Sequence, residues 1–482
     1  MRKWHKIALA IHRVLGTVLS LLFAAWFLSG LVMIYHTFPK VSEADRLARQ
    51  ESLVADSLPA WEEIQKRLPE GEQVKSVRLT RDWGQTLFHI RTDQGEHTLT
   101  ADGSVRQPVD SVRLQRIAER WNPSPIVRVD TLRKLEQWIP FASYRRHFPI
   151  YKYYYDDEAG HQLYLSSKTG EALQYTSRDS RFWALLGAVP HWVYFTALRQ
   201  DVDRWKAVVI VLSAAGSLLC VAGIYLGIRD VRLARRRQRL TPYKRFWYKW
   251  HHILGTVFGL FVLTFCFSGM MSLVDVEDLG IRSRLDFSPI QRLENMRPTE
   301  YTLDYREVIK NSIRKIRQMT WEHIGPIPFY HLRTDKGQVR IDARYNDPAR
   351  ALNLTPVDLR PILAAIHGDT ATIRLTQLTA YDHYYLARSG HLSLPVWLAT
   401  VDDANHSRYY INPSTGRCRY FGRTERWQHW LYPALHNLRL QPLIAHPWAW
   451  NLVMWGLMLG GTLVSLTGLR LAINYLRRKF KR

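Results

Sequence analysis

The amino-acid sequence predicts an α-helical membrane protein, in which two parallel repeats supply four transmembrane helices and two large α+β domains outside the membrane. Three observations predict this fold class. The chain of 482 residues contains four long apolar windows without a charged residue. Its basic residues are concentrated beside those windows, and its two halves resemble each other. The formal charge of +25 is therefore interpreted as a topology signal, not as a nucleic-acid-binding surface.

Each apolar window is long enough to cross a bilayer as a helix. The mean hydropathy of the whole chain is negative, so most of the chain lies outside lipid, whereas about 20 apolar residues suffice to span the hydrocarbon core. The first window is too long for the apolar region of a signal peptide and is followed by no small-residue cleavage site, so we expect an uncleaved span. The windows are 14–33, 207–228, 253–274 and 450–469.

The basic residues predict the orientation of the four spans. They cluster before the first span, between the second and third, and after the fourth. Short basic segments remain cytoplasmic, so both termini and the loop 229–249 are predicted to lie inside, and segments 38–204 and 275–439 outside an inner membrane. The uncharged stretch 182–198 is an alternative crossing, but it would place the basic loop outside. We therefore predict an interfacial or re-entrant helix there.

The two halves of the chain align without gaps around their apolar windows. The first half begins IHRVLGTVLSLLFAAWFLSGLVMI and the second WHHILGTVFGLFVLTFCFSGMMSL. Two such halves with the same orientation are parallel repeats about an axis along the membrane normal. The aligned pairs include His12 with His251, Ser29-Gly30 with Ser268-Gly269, His191 with His436, Trp205 with Trp450, and Gly223 with Gly468.

The two long outer segments have an α+β pattern. Apolar spacing is helical around 58–68 and 109–121, whereas 151–155, 162–166 and 407–411 alternate as strands do. The dipeptide Asp102-Gly103 indicates a turn. Each segment is predicted to contain a helix followed by a hairpin about twice. The predicted division is 1–36, 205–228, 251–274 and 448–470 for the spans; 37–180 and 275–425 for the outer domains; 181–204 and 426–447 for interfacial helices; and 229–250 and 471–482 for basic cytoplasmic segments.

The first candidate metal-binding pair is His12 with His251. Both lie one turn before a Gly-Thr pair, just inside the cytoplasmic boundary, where an ionisable group is costly without a partner. The symmetry axis would bring the two imidazoles face to face, and neutral imidazole is the commonest metal ligand in proteins. The alternatives are an interfacial histidine with a protein partner or one bonded to lipid headgroups. His252 is adjacent, but it aligns with Arg13.

The second candidate pair is His191 with His436, near the outer boundary. Alternatively, each of these two histidines is a polar residue on an amphipathic interfacial helix. His36 is a rival ligand, but its aligned position is Asp275, so it lacks a symmetric mate. Two facing pairs at opposite depths suit two bis-histidine b-type haems, and no CxxCH motif for covalent attachment is present. Such iron has no open coordination position, which favours electron transfer over oxygen activation.

The sequence resembles the PepSY-associated transmembrane family, the iron-regulated inner-membrane proteins of bacteria, over nearly its whole length. The resemblance depends on the HRVLGT and HHILGT openings, the SG pair near each span's outer end, the TGE and TGR turns, and LH before the last span. It implies PepSY-like periplasmic domains and a ferric-siderophore reductase. The resemblance also implies that electrons pass from the cytoplasmic side to the periplasm through two haems. Their ligands would be His12, His251, His191 and His436.

Two other functions remain open at this point. PepSY domains are associated with binding or inhibiting peptidases, so the chain could be a membrane-tethered interaction protein. Duplicated halves also occur in transporters, although the spans here lack mid-membrane acidic residues. The expected partners of a reductase are a ferric siderophore, anionic lipid and a cytoplasmic or quinol electron donor. The tyrosines at 151–155 and 381–385 could line a pocket, but strand residues packing a sheet are the commoner interpretation.

Overall fold

Four long helices dominate one end of the protein, which a computed structural model describes over residues 2–56, 58–82, 84–101, 109–236, 238–388 and 390–480. Within these ranges, they are the helices long and apolar enough to cross a membrane. Each of them extends at one or both ends beyond its apolar window into flanking sequence that contains charged residues. Their bounds are α1 (Arg2–Met33), α2 (Val202–Arg236), α3 (Phe246–Met271) and α4 (Pro447–Phe480).

The four helices pack as a bundle in which α1 and α3 face each other across a diagonal. Helix α1 packs against α2 and α4, and α3 packs against the same two helices. Aromatic rings meet across the diagonal: the centroid of Phe27 lies 6.2 Å from that of Phe261 and 6.3 Å from that of Phe265. Aligned residues of α1 and α3 that face inward therefore lie on opposite sides of one shared interior.

Fourteen strands form three antiparallel sheets in the described part of the chain. A six-stranded sheet has the order β10-β9-β8-β1-β2-β3, and two four-stranded sheets have the orders β4-β5-β6-β7 and β11-β12-β13-β14. The strands are β1 Val74–Asp82, β2 Gln85–Thr92, β3 Glu96–Thr100, β4 Ile126–Leu132, β5 Ile150–Tyr155, β6 Gln162–Ser166, β7 Ala172–Thr176, β8 Ile316–Ile324, β9 Ile327–Thr334, β10 Gly337–Asp342, β11 Ile373–Leu378, β12 Val396–Val401, β13 Arg408–Ile411 and β14 Cys418–Phe421.

The six-stranded sheet joins the two outer segments. Strands β1 and β8 come from different halves of the chain and pair antiparallel at its centre, with Val77 opposite Trp321 and Leu79 opposite Met319. One hydrophobic core lies against this sheet and contains buried residues from both segments, such as Phe88 and Tyr330. The sequence predicted two outer domains, whereas the structure gives them a shared sheet and a shared core.

Each four-stranded sheet is covered by one helix of its own half. Ser111–Trp121 buries Leu114 and Ala118 against β5 and β6, and Pro356–His367 buries Leu359 and Ile362 against β12 and β13. The predicted helix at 109–121 and the three predicted strands are confirmed, and Tyr153 and Tyr155 are core residues. The stretch 58–68 contains only the short helix Trp61–Gln65, and the predicted turn at Asp102-Gly103 lies outside the described residues.

The segments before α2 and α4 are short helical pieces instead of single interfacial helices. Gly187 ends one piece, and Val193 has a left-handed backbone (φ 54°) that ends the next. In the second half, Pro433 lies in a π-helical turn, and Leu438 repeats the left-handed conformation (φ 49°). The helical pieces are Arg178–Leu186, Ala188–Trp192 and Thr196–Arg199 before α2, and Arg423–His429, Trp430–Ala434 and Gln441–Ile444 before α4.

The remaining short helices connect the strands and the bundle. They are Glu43–Ala48, Ala142–His147, Val276–Leu279, Pro289–Asn295 and Tyr305–Lys310.

Candidate metal-ligating histidine pairs

His12 of α1 and His251 of α3 face each other across the bundle. Their ring centroids are 6.1 Å apart, with 41° between the ring planes. The Nδ1–H of His12 donates to the carbonyl oxygen of Leu219 on α2 at 3.2 Å. The Nδ1–H of His251 donates to the hydroxyl of Thr467 on α4 at 3.1 Å, and that hydroxyl donates in turn to the Leu463 carbonyl. Each ring is therefore oriented by the helix that follows it in its own half.

His191 and His436 form a second facing pair at the opposite end of the bundle. Their ring centroids are also 6.1 Å apart, with 58° between the planes. The Nδ1 of His191 lies 3.1 Å from the Trp26 carbonyl oxygen and 3.3 Å from the Ser29 hydroxyl. The Nδ1 of His436 lies 3.1 Å from the hydroxyl of Ser268. These contacts assign the proton of each ring to Nδ1.

The Nε2 atoms of all four rings have no hydrogen-bond partner among the described residues. A metal-ligating histidine commonly donates its other ring N–H to a carbonyl or hydroxyl, which fixes its tautomer and orientation. All four histidines have that arrangement, and the unprotonated Nε2 is the nitrogen able to ligate. No group of three His, Cys, Asp or Glu suited to a metal ion occurs in the described ranges, so each pair offers two ligating nitrogens.

A helix glycine lies beside each of the four rings. A Cβ atom at Gly223 would lie 2.8 Å from Cε1 of His12, and one at Gly30 would lie 3.3 Å from Cε1 of His191. Cβ atoms at Gly468 and Gly269 would lie 3.2 and 3.6 Å from Cε1 of His251 and His436. Since these glycines align in the two halves, the same close approach of ring to backbone occurs at every site.

The turns that follow the outer histidines are anchored by matched tryptophans. The indole N–H of Trp205 donates to the carbonyl oxygen of Trp192 at 2.8 Å. The indole N–H of Trp450 donates to the carbonyl oxygen of Asn437 at 3.0 Å. Each bond ties the residue directly after a histidine to the following long helix, so the irregular turns hold His191 and His436 in place.

Burial in apolar surroundings also sets the protonation of the outer pair. It lowers the pKa of His191, and it lowers the pKa of His436 to about 3, with the neighbouring His191 adding to the shift. Neutral imidazole is the form that binds a metal. The outer pair is thus neutral at pH 7 without needing any compensating carboxylate.

The two pairs are separated along the bundle. Trp26 and Ser29, which contact His191, follow His12 on α1 by 14 and 17 residues (26 − 12 and 29 − 12). At about 1.5 Å per residue, that spacing corresponds to roughly 21 to 26 Å. Aromatic rings occupy the interval, and the Phe265 ring centroid lies 5.1 Å from that of His436.

The other histidines weighed as ligands lie outside both pairs. His36 stacks on Trp183, with 4.5 Å between ring centroids and 7° between planes. His252 is buried beside the ring of Tyr243, at 5.6 Å, and neither of its ring nitrogens has a partner among the described residues. His12 therefore faces His251 and not His252.

Sequence reasoning did not assign a role to the serines of the two aligned SG pairs. The structure places Ser29 and Ser268 on Nδ1 of His191 and His436, while both hydroxyls also lie close to carbonyls of their own helices. The signal was present, because Ser29 follows His12 by 17 residues (29 − 12) and Ser268 follows His251 by the same number (268 − 251).

The chain matches the model of a protein family described as the PepSY-associated TM region over residues 9–301. The matched region is more than half of the chain and contains His12, His191 and His251. No curated protein matches the chain.

Proposed function

The chain belongs to the PepSY-associated TM region family, and we propose that this multi-pass membrane protein is a di-haem b electron-transfer protein of the inner membrane. In this proposal it passes single electrons from the cytoplasmic side to ferric siderophores in the periplasm. The observation that carries the proposal is the repeated geometry of two facing histidine pairs, each with Nδ1 engaged and Nε2 directed at no protein partner.

The spacing of the rings supports haem as the group between them. A metal–imidazole nitrogen bond is about 2 Å long, and an imidazole centre lies about 1 Å beyond its ligating nitrogen. Two imidazoles that ligated one metal ion would therefore have their centres up to roughly 6 Å apart. Both pairs have 6.1 Å. Two protein ligands would suit a metal whose other ligands come from a cofactor, as those of haem iron do.

The chemistry that bound haem would supply is one-electron transfer, since bis-histidine iron keeps no open coordination position. The protein residues supply position and environment. Leu219 and Thr467 orient the inner rings, and the aligned serines orient the outer ones. Buried apolar side chains such as Phe27 and Val262 exclude water from the space between the pairs.

A ferric chelate is a suitable acceptor on chemical grounds. Siderophores hold Fe(III) through hard oxygen donors, which suit Fe(II) poorly. Transfer of one electron to the chelate therefore gives Fe(II) and weakens its hold on the metal. The electron would enter from a cytoplasmic partner or from quinol, and cross the bundle from the pair His12/His251 to the pair His191/His436.

The orientation follows from the clusters of basic residues. We propose two parallel repeats with both termini and the basic segment 229–249 cytoplasmic, and with the sheets in the periplasm. Reporter fusions after Leu58 and after Arg239 should therefore report opposite compartments, because short basic segments are retained inside. Equal signals from the two fusions in the periplasmic reporter would contradict the topology.

The functional experiment measures haem and electron transfer in one preparation. Protein purified in detergent from haem-replete cells should contain about two b haems per chain in a pyridine haemochrome assay. After reduction with dithionite and mixing with a ferric siderophore without oxygen, the haems should be reoxidised while ferrozine captures Fe(II). Haem reoxidation no faster than in buffer alone would remove the reductase proposal, and less than one haem per chain would remove the di-haem proposal.

A further inference from the structure

A cavity of about 640 Å³ opens beside the outer histidine pair on the side of the sheets. Ser272 and Leu273 line both this cavity and the one that contains His191 and His436. Its volume is in the range of sites for small molecules, about 300 to 1,000 Å³. A ligand in it would therefore lie next to the outer end of the proposed electron path.

Two arginines without anionic partners line this cavity. Arg419 lies on β14, and Arg439 lies in the turn three residues after His436. Neither side chain has an ion pair or hydrogen bond within the described part of the chain. Burial lowers the pKa of Arg419 and of His429, and the charge of Arg439 adds to both shifts. The three groups are therefore close enough to sense one another's charge.

His429 is the most buried of these groups. Its side chain lines the cavity, only 8% of the residue is exposed, and its Nε2 has no partner among the described residues. Its neighbour Gln428 donates from Nε2 to the Met271 carbonyl at 2.9 Å, which leaves the buried Oε1 without a donor. Unpartnered buried polar atoms carry a free-energy cost, which a bound ligand would offset.

The carboxylates at the cavity do not neutralise the arginines. Glu425 accepts the backbone N–H of Gly422 at 2.9 Å, and Asp275 accepts that of Glu277 at 3.4 Å. Both act as caps of short helices, and Glu277 is exposed. The positive groups Arg419 and Arg439 thus lie on β14 and in the turn after His436, and the two capping carboxylates lie at the starts of the helices Val276–Leu279 and Arg423–His429.

The equivalent positions of the first half show that the fold does not require these groups. With the spacing of 245 residues that relates His191 to His436 (436 − 191), His429 corresponds to the buried Ala184, and Arg439 corresponds to Tyr194. Both turns nevertheless have the same left-handed residue, Val193 or Leu438. The polar groups of the second half are therefore additions to a turn that forms without them.

We propose that Arg419, Arg439 and His429 bind the carboxylates of an anionic ferric chelate and hold it beside the outer histidine pair. This inference depends on the proposed function for its acceptor, and it deepens that function by naming the substrate class. Arginine presents paired N–H donors that match a carboxylate, and the neutral ring of His429 can add one N–H donor from its unpartnered Nε2. The chelate would be held at the side of the cavity that adjoins Ser272 and Leu273.

The test uses a redox-inert probe, so that binding is measured apart from electron transfer. Gallium(III) citrate is titrated into the haem-replete, detergent-purified full chain by isothermal titration calorimetry, with gallium(III) desferrioxamine as a cationic comparison and citrate alone as the metal-free one. We expect Arg419→Gln and Arg439→Gln to weaken binding of gallium citrate by about tenfold or more, because each removes a charge-assisted hydrogen bond. Arg419→Lys should retain part of the affinity for gallium citrate that Arg419→Gln loses. Arg374→Gln, which changes an exposed residue on β11, should leave this affinity unchanged.

The outcomes separate this inference from the proposed function. The proposed chelate site would be wrong if both glutamine variants bound gallium citrate as tightly as the unmodified protein does. It would also be wrong if the unmodified protein bound citrate alone as tightly as gallium citrate, even if ferric chelates are still reduced. Loss of the outer haem in those variants would indicate that the arginines bind the haem carboxylates, and it would also contradict the proposed chelate site. Binding of gallium citrate that depends on the arginines, together with no reduction of ferric chelates, would support the proposed chelate site and contradict the proposed reductase function.

Discussion

Replacing either His12 or His251 with alanine is expected to remove one and the same haem, reducing the haem content from about two to about one per chain. The two rings face each other at 6.1 Å, one from each half, so either change would leave one ligating imidazole at the inner site. The outer pair lies roughly 21 to 26 Å away along α1 and should keep its haem. Pyridine haemochrome content and the low-temperature visible spectrum of each variant provide the measurement.

His252→Ala is the matched control for this prediction. His252 is adjacent to His251 and buried, but its ring lies beside Tyr243 and not in the pair. The control should keep both haems. If His12→Ala and His251→Ala instead depleted two spectrally different haems, each half would bind its own haem and the facing arrangement would be wrong.

Loss of an outer ligand, through His191→Ala or His436→Ala, should strongly slow electron transfer to ferric chelates while the inner haem remains reducible. The outer pair lies beside the cavity on the side of the sheets, whereas the inner pair is most of a bilayer thickness away, where the core measures about 30 Å. Stopped-flow mixing of reduced variant with a ferric siderophore should show reoxidation at least about tenfold slower than in the unmodified protein, a loss of the size seen when metal-site partners are removed.

His36→Ala is the control for the outer pair. Within the described residues, the ring of His36 stacks on Trp183 and contacts neither His191 nor His436. This substitution should leave the reoxidation rate unchanged. An outer-pair variant that reoxidised as fast as the control would show that electrons leave the protein by a path that does not use His191 and His436.

The sequence was sufficient to predict the four spans and the partners in each histidine pair. Uncharged windows of this length have few alternatives to a transmembrane helix, and a gap-free alignment of the halves placed His12 at the depth of His251. The resemblance to the PepSY-associated family is confirmed by the match over residues 9–301. It was the internal alignment, and not any single motif, that distinguished these histidines from His36.

Other features depended on contacts that leave no local signal. The pairing of β1 with β8 joins residues about 240 positions apart, and nothing in either strand's alternation indicates its partner. The cavity with Arg419 and Arg439 combines a strand end with a left-handed turn at Leu438, a conformation that a leucine does not predict. The apolar stretch 182–198 suggested one helix, but Gly187 and the left-handed Val193 divide it.

The shared six-stranded sheet restricts how the two halves can move. Alternating-access transport requires one repeat to rock against the other about a central site. Here β1 and β8 connect the halves through a backbone ladder from Val77–Trp321 to Thr80–Gln318, backed by a common core. Rocking would break those hydrogen bonds, each worth about 1 kcal/mol net, and would open that core. A rigid connection suits the proposed redox function instead, because a metal held between His191 and His436 would change its charge with little nuclear rearrangement, which is the condition for fast outer-sphere redox chemistry.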